Sequence, residues 1–197
     1  MNFKLSYITD LVALRIGEFP DWRRRRSDPC RGVCLDQLVE TLLPSVALHL
    51  TAESPLDRLG EGTDFRLDLA REMNVSYPPA ATFLLPDNFL RLKILLFPDW
   101  PHPLSDDFPA DPQRLALGDS APDWLTGRLR RPAMQILPQG GRSLLRFFPA
   151  PATNTLPTAA VYIPRPVYDP DTQTLNDFDT ALLSPLADSI AATLGNN

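Results

Sequence analysis

The sequence predicts an α+β fold, in which N-terminal and C-terminal helices form a helical body and a Pro-rich lobe of β-strands is inserted between them. Apolar residues recur at helical spacing near both chain ends, whereas the middle holds short apolar runs bounded by turn residues. Proline makes up 22 of the 197 residues and is concentrated after residue 77, and a proline inside a helix costs about 3 kcal/mol. We expect one domain overall, with a helical part at residues 1–76, a β-rich lobe at 77–168 and a returning helix at 169–197.

Three helices are predicted in the terminal parts. The first covers Lys4–Ile16, the second covers Cys34–Ala52, and the last begins near Thr172. Pro44 and Pro185 fall inside the second and last helices, where each predicts a kink or a break. The expected buried stripes are Leu5, Ile8, Val12 and Ile16; Leu35, Leu38, Val39, Leu42, Val46 and Leu50; and Leu175, Phe178, Leu182, Leu186, Ile190 and Leu194.

The middle of the chain predicts five strands. Gln139-Gly140-Gly141 is typical of a hairpin turn, because glycine adopts the positive φ that such turns need. A short helix is expected near Gln113–Leu117 or Trp124–Leu129, and Asp64–Leu69 fits a strand or a helix almost equally well. The predicted strands are Ala81–Leu85, Leu90–Phe97, Ala133–Leu137, Leu144–Phe148 and Ala159–Ile163.

Composition and residue types predict a non-secreted protein that is not an enzyme and holds no cofactor or metal. A net charge of −5 disfavours general binding to nucleic acid or anionic membranes, and no apolar run reaches the roughly 18 residues of a membrane span. His49 and His102 offer no evident nucleophile–base pair. Cys30 and Cys34 lack the further ligands of a zinc site, so both thiols are expected to be reduced and dispensable.

The most distinctive stretch is Ala81–Leu104, which is predicted to form strand, turn, strand and turn. Proline fixes φ in the first turn, and aspartate and asparagine can bond the local backbone there. The stretch contains no nucleophile, metal-ligand set or phosphate loop, so we interpret it as a structural motif. Its defining residues are Pro86, Asp87, Asn88, Phe89 and Trp100.

The run LPDNFLRL, followed by a strand and DW, resembles a block of phage head-to-tail adaptors of the tail tubular protein A type, which include ring proteins of crAss-like phages. A second match is AAVYIP at Ala159–Pro164, followed by a Pro/Asp loop and the final apolar stripe at Phe178–Leu194. Both matches are patterns of apolar and turn residues. The Pro-rich middle and the Trp22–Arg26 segment depart from the family pattern.

The resemblance implies a virion structural protein that is made and assembled in the host cytoplasm. It implies a homo-oligomeric ring of twelve copies, which docks on the portal protein, meets tail-side virion proteins and surrounds DNA without sequence-specific binding. No membrane partner is expected. The residues alone also allow a non-virion protein-binding or assembly module without catalytic activity, and an enzyme of unfamiliar type is the third hypothesis.

Two basic clusters are candidate interfaces with a neighbouring subunit or the portal, because arginine makes planar, bidentate contacts. Solvated surface and nucleic-acid contact are the alternatives for the first cluster. The clusters are Trp22, Arg23, Arg24, Arg25 and Arg26, and Arg128, Arg130 and Arg131.

Changing Arg23, Arg24, Arg25 and Arg26 together to Glu should weaken assembly and leave folding nearly unchanged. Exposed charges each contribute less than about 1 kcal/mol to stability, whereas interface charges control encounter and register. Thermal melting and a subunit or portal binding assay measure the two effects. Normal assembly of this variant would mean that the cluster is plain surface.

Overall fold

The structure, a computed structural model, describes residues 1–17, 34–77, 80–106, 132–151 and 155–195. The fold is mixed α+β, and the described residues form four helices and three antiparallel sheets. The helices are α1 Leu5–Arg15, α2 Leu35–Glu53, α3 Arg66–Glu72 and α4 Leu183–Gly195. The strands are β1 Phe3–Lys4, β2 Thr63–Asp64, β3 Asn74–Tyr77, β4 Ala80–Leu84, β5 Phe89–Leu96, β6 Ala133–Gln139, β7 Arg142–Phe148, β8 Ala159–Pro164, β9 Val167–Asp169 and β10 Thr174–Asn176.

The chain divides into two compact units. Met1–Gly60 and Arg165–Asn197 together form one, which we call the helical unit, and Glu61–Pro164 forms the other, which we call the β unit. The predicted β-rich lobe at residues 77–168 begins later and ends later than the β unit. The predicted division of the chain into parts of one domain stays a prediction.

The helical unit joins the two ends of the chain. Helices α1, α2 and α4 contact one another, with Ile8, Val12, Leu186 and Ile190 fully buried among the core residues. Strand β1 pairs with β10, which pairs with β9, and Phe3 lies opposite Leu175. The first and last segments therefore share one small sheet as well as one helical core.

Helix α2 differs from its prediction in two respects. The buried row of this helix is Val39, Leu43, Ala47 and Thr51. This row lies on a different side of the helix from most of the predicted stripe, of which only Val39 is buried. Of the kink or break predicted at Pro44, the break is wrong, because one continuous helix runs from Leu35 to Glu53. Pro44 lies on the exposed side of this helix.

The last helix begins later than predicted. Leu175 lies in β10, a short 3₁₀ turn covers Thr180–Leu182, and α4 starts at Leu183. Gln173 and Asp177 have φ of 51° and 57°, so the backbone cannot be helical across them. Pro185 causes no break there, because it lies in the first turn of α4, where the backbone N–H needs no helical partner.

The described part of the β unit contains two sheets and one short helix around a shared core. One sheet has the order β2-β8-β5 and the other β3-β4-β7-β6. The hydrophobic core takes residues from both sheets and from α3, including Phe83, Leu92, Leu145, Tyr162 and Leu69. All five predicted strands are confirmed to within two residues at their ends.

Local turn chemistry behaves as predicted in the β6–β7 hairpin. Gln139 pairs with Arg142, and Gly140 and Gly141 have φ of 57° and 86°, which a two-residue turn requires. The open choice at Asp64–Leu69 is resolved in favour of a helix. Phe65 is buried at the N-cap of α3, and Leu69 is fully buried inside it.

A matched pair of leucines on α3 tests this core. Leu69 is fully buried, whereas Leu67, two residues earlier, is 76% exposed. Leu69→Ala should lower the free energy of unfolding by about 2–5 kcal/mol, because it removes buried apolar atoms and leaves a cavity. Leu67→Ala should change it by less than about 0.5 kcal/mol. Urea denaturation of both variants measures the difference; similar values would contradict the assigned helix face.

Candidate interaction surfaces

The Pro86–Phe89 turn carries the chain from one sheet of the β unit to the other, since β4 and β5 belong to different sheets. Asp87 forms an ion pair with Arg142 at 2.7 Å, and Arg142 lies on β7, which is in the same sheet as β4. Asn88 Oδ1 accepts a 2.8 Å hydrogen bond from the Tyr162 hydroxyl, and Tyr162 lies on β8 in the sheet that β5 joins. The two polar residues thus attach the turn to both sheets.

Tyr162 also organises the residues around this turn. Its ring lies 5.7 Å from the rings of Phe65 and Phe89. Gly62 passes close to its backbone: a Cβ at residue 62 would lie 2.6 Å from the Tyr162 carbonyl oxygen. Gly62 also has φ of +78°, so both space and backbone conformation require glycine there.

Trp100 closes the second turn of the motif by packing into the core. Its ring makes edge contacts with Phe97 and Phe147, at centroid distances of 4.9 and 5.8 Å. Beyond it, Leu104 returns to pair with Leu95 through two 2.8 Å backbone hydrogen bonds. The indole Nε1 is buried and has no acceptor within the described ranges. Trp100 therefore has a packing role.

Helix α1 is apolar on two opposite faces. One face holds the buried residues Leu5, Ile8 and Val12. At about 100° per residue, Tyr7, Leu11 and Leu14 fall on the other side. We call these three the outer stripe of α1: Tyr7 and Leu14 are 49% and 52% exposed, and Leu11 is half-buried. The stripe is absent from the predicted buried and interface residues, although its i, i+4, i+7 spacing is visible in the sequence.

Helix α2 has a smaller apolar flank beside its buried row. Leu38 is 40% exposed and Leu42 is half-buried, although both belong to the predicted buried stripe of this helix. This flank lies next to the buried row of α2. The outer stripe of α1, by contrast, lies opposite the buried face of α1. The helical unit thus carries two different apolar patches on its surface.

The β unit has an open groove of about 450 Å³ on the face of the β3-β4-β7-β6 sheet that is turned away from the core. Leu84 and Leu144 are cross-strand partners and line it together. Glu72 and Arg142 also line it. Their side chains are already paired, with Arg71 and Asp87 respectively.

One side-chain bond fastens β9 to α2 within the helical unit. The Tyr168 hydroxyl donates a 2.9 Å hydrogen bond to Glu40 Oε1. Burial raises the pKa of Tyr168 from 10.0 to about 12, and the hydrogen bond and the charges of Glu40 and Asp169 act in the same direction. The folded protein thus keeps this proton to a higher pH than the unfolded chain.

The basic clusters Trp22–Arg26 and Arg128, Arg130 and Arg131 lie outside the described residues, as does the short helix expected between residues 113 and 129. Cys34 caps α2, and its backbone N–H donates to Gln37 Oε1 at 3.2 Å; Cys30 is also outside the described ranges. His49 and His102 are exposed. Within those ranges no three His, Cys, Asp or Glu residues form a possible metal site.

None of the helices searched in the described ranges is long and apolar enough to cross a membrane. No protein-family model, curated protein or solved structure matches the chain.

The burial of Tyr168, together with its hydrogen bond to Glu40, predicts a loss of stability at high pH. Tyrosine in the unfolded chain ionises near pH 10, and Tyr168 in the folded protein ionises near pH 12. The contribution is therefore complete below pH 10 and is lost as the pH rises from 10 to 12. Tyr168→Phe should remove this part of the pH dependence. Glu40→Gln, which keeps an acceptor without the charge, should lower the Tyr168 pKa toward 10.

Denaturation curves at several pH values measure the stability, and tyrosinate absorbance measures the ionisation. If Tyr168→Phe removed an ionisation near pH 10, and none near pH 12, the assigned burial of Tyr168 with its bond to Glu40 would be contradicted.

Proposed function

We propose that this chain is a virion structural protein, a ring-forming head-to-tail adaptor that docks on the portal and forms part of the DNA channel. The observation that carries the proposal is the second apolar face of α1. Among the described residues, the helical unit packs against the Leu5, Ile8 and Val12 face of this helix. In the outer stripe, Tyr7 and Leu14 are exposed and Leu11 is half-buried. A single exposed leucine is ordinary on a protein surface. A row of three apolar or aromatic residues along one helix face is typical of a surface that packs against another element.

A ring supplies the neighbour that such a stripe needs. Each contact around a ring joins one patch of a copy to a different patch of the next copy. The ring closes when the rotation between neighbouring copies is a whole fraction of a turn. The outer stripe of α1 is one patch, and the Leu38–Leu42 flank of α2 is the other. We propose that the stripe of one copy packs on the flank of the next.

The organisation of the chain also supports the proposal. The helical unit is made from both chain ends, and the β unit is one continuous segment between them in sequence, as the resemblance to the adaptor family implies. The net charge of −5 suits the lining of a DNA channel, because a surface that bound phosphates strongly would retard the passage of DNA. The Pro86–Trp100 motif then serves to hold the two sheets of the β unit together.

A charge placed in the outer stripe tests the ring contact. Leu14→Glu should reduce assembly of the purified full chain, alone or with the portal protein of the encoding phage, by at least tenfold. Burying a leucine contributes about 1.5–3 kcal/mol, and 1.4 kcal/mol is a factor of ten in affinity. Leu67→Glu is the matched control, because Leu67 is 76% exposed on the β unit.

Mass photometry and negative-stain microscopy count the copies in each particle, and circular dichroism confirms that both variants fold. Assembly of Leu14→Glu at the wild-type level would exclude the outer stripe from the ring contact.

The virion itself tests the function independently of that contact. In purified particles of the encoding phage, mass spectrometry should find this chain at a fixed copy number relative to the portal. Deletion of the gene should give filled heads without attached tails, and a plasmid copy should restore infectivity. Absence of the chain from purified particles would overturn the adaptor proposal and leave the non-virion binding module in its place.

A further inference from the structure

We draw no further inference here: the strongest candidate, the open groove on the outer face of the β3-β4-β7-β6 sheet, has two half-buried leucines and two already paired charged side chains along it, and nothing in the structure shows what covers it.

Discussion

The β unit depends on Tyr162, the residue at which its separate parts meet. On the central strand β8, Tyr162 lies opposite Thr63 of β2 and Leu92 of β5. Its ring packs with Phe65 at the N-cap of α3 and with Phe89 at the start of β5. Its hydroxyl bonds Asn88 in the turn that joins the sheets. A buried hydroxyl without a partner would cost free energy, so the turn and the core stabilise each other.

The helical unit is constrained in a different way, by the pairing of the two chain ends. Strand β1 is only two residues long, yet it pairs with β10, and its successor α1 packs on α4. Short strands and helices are marginal by themselves, so their stability comes from packing against segments that are distant in the sequence. The ends of the chain thus complete a unit that neither end could form alone.

The surfaces of the two units suggest different tasks. In the helical unit the apolar residues outside the core include the outer stripe of α1, two of whose three members are exposed. The β unit instead carries an open groove whose charges are already paired. The proposed contact between copies uses two patches that both lie on the helical unit. This division of labour is part of the proposed adaptor role, in which one surface builds the ring and others meet portal or tail proteins.

Local sequence patterns were enough to predict the α+β class, five of the ten strands in the described residues, the glycine hairpin and the turn after Pro86. These depend on local chemistry, such as alternation of apolar residues, fixed φ at proline and positive φ at glycine. The sequence did not determine which face of α2 is buried, because Leu38 and Leu42 are as apolar as Leu43 and only the packing of α1 and α4 distinguishes them. Leu175 has the spacing of a helical stripe, which predicts a helix there, but a single apolar residue fits a strand equally well, and Leu175 lies in β10. Both points depend on packing between distant segments, since burial is a property of the neighbours a residue meets and not of the residue alone.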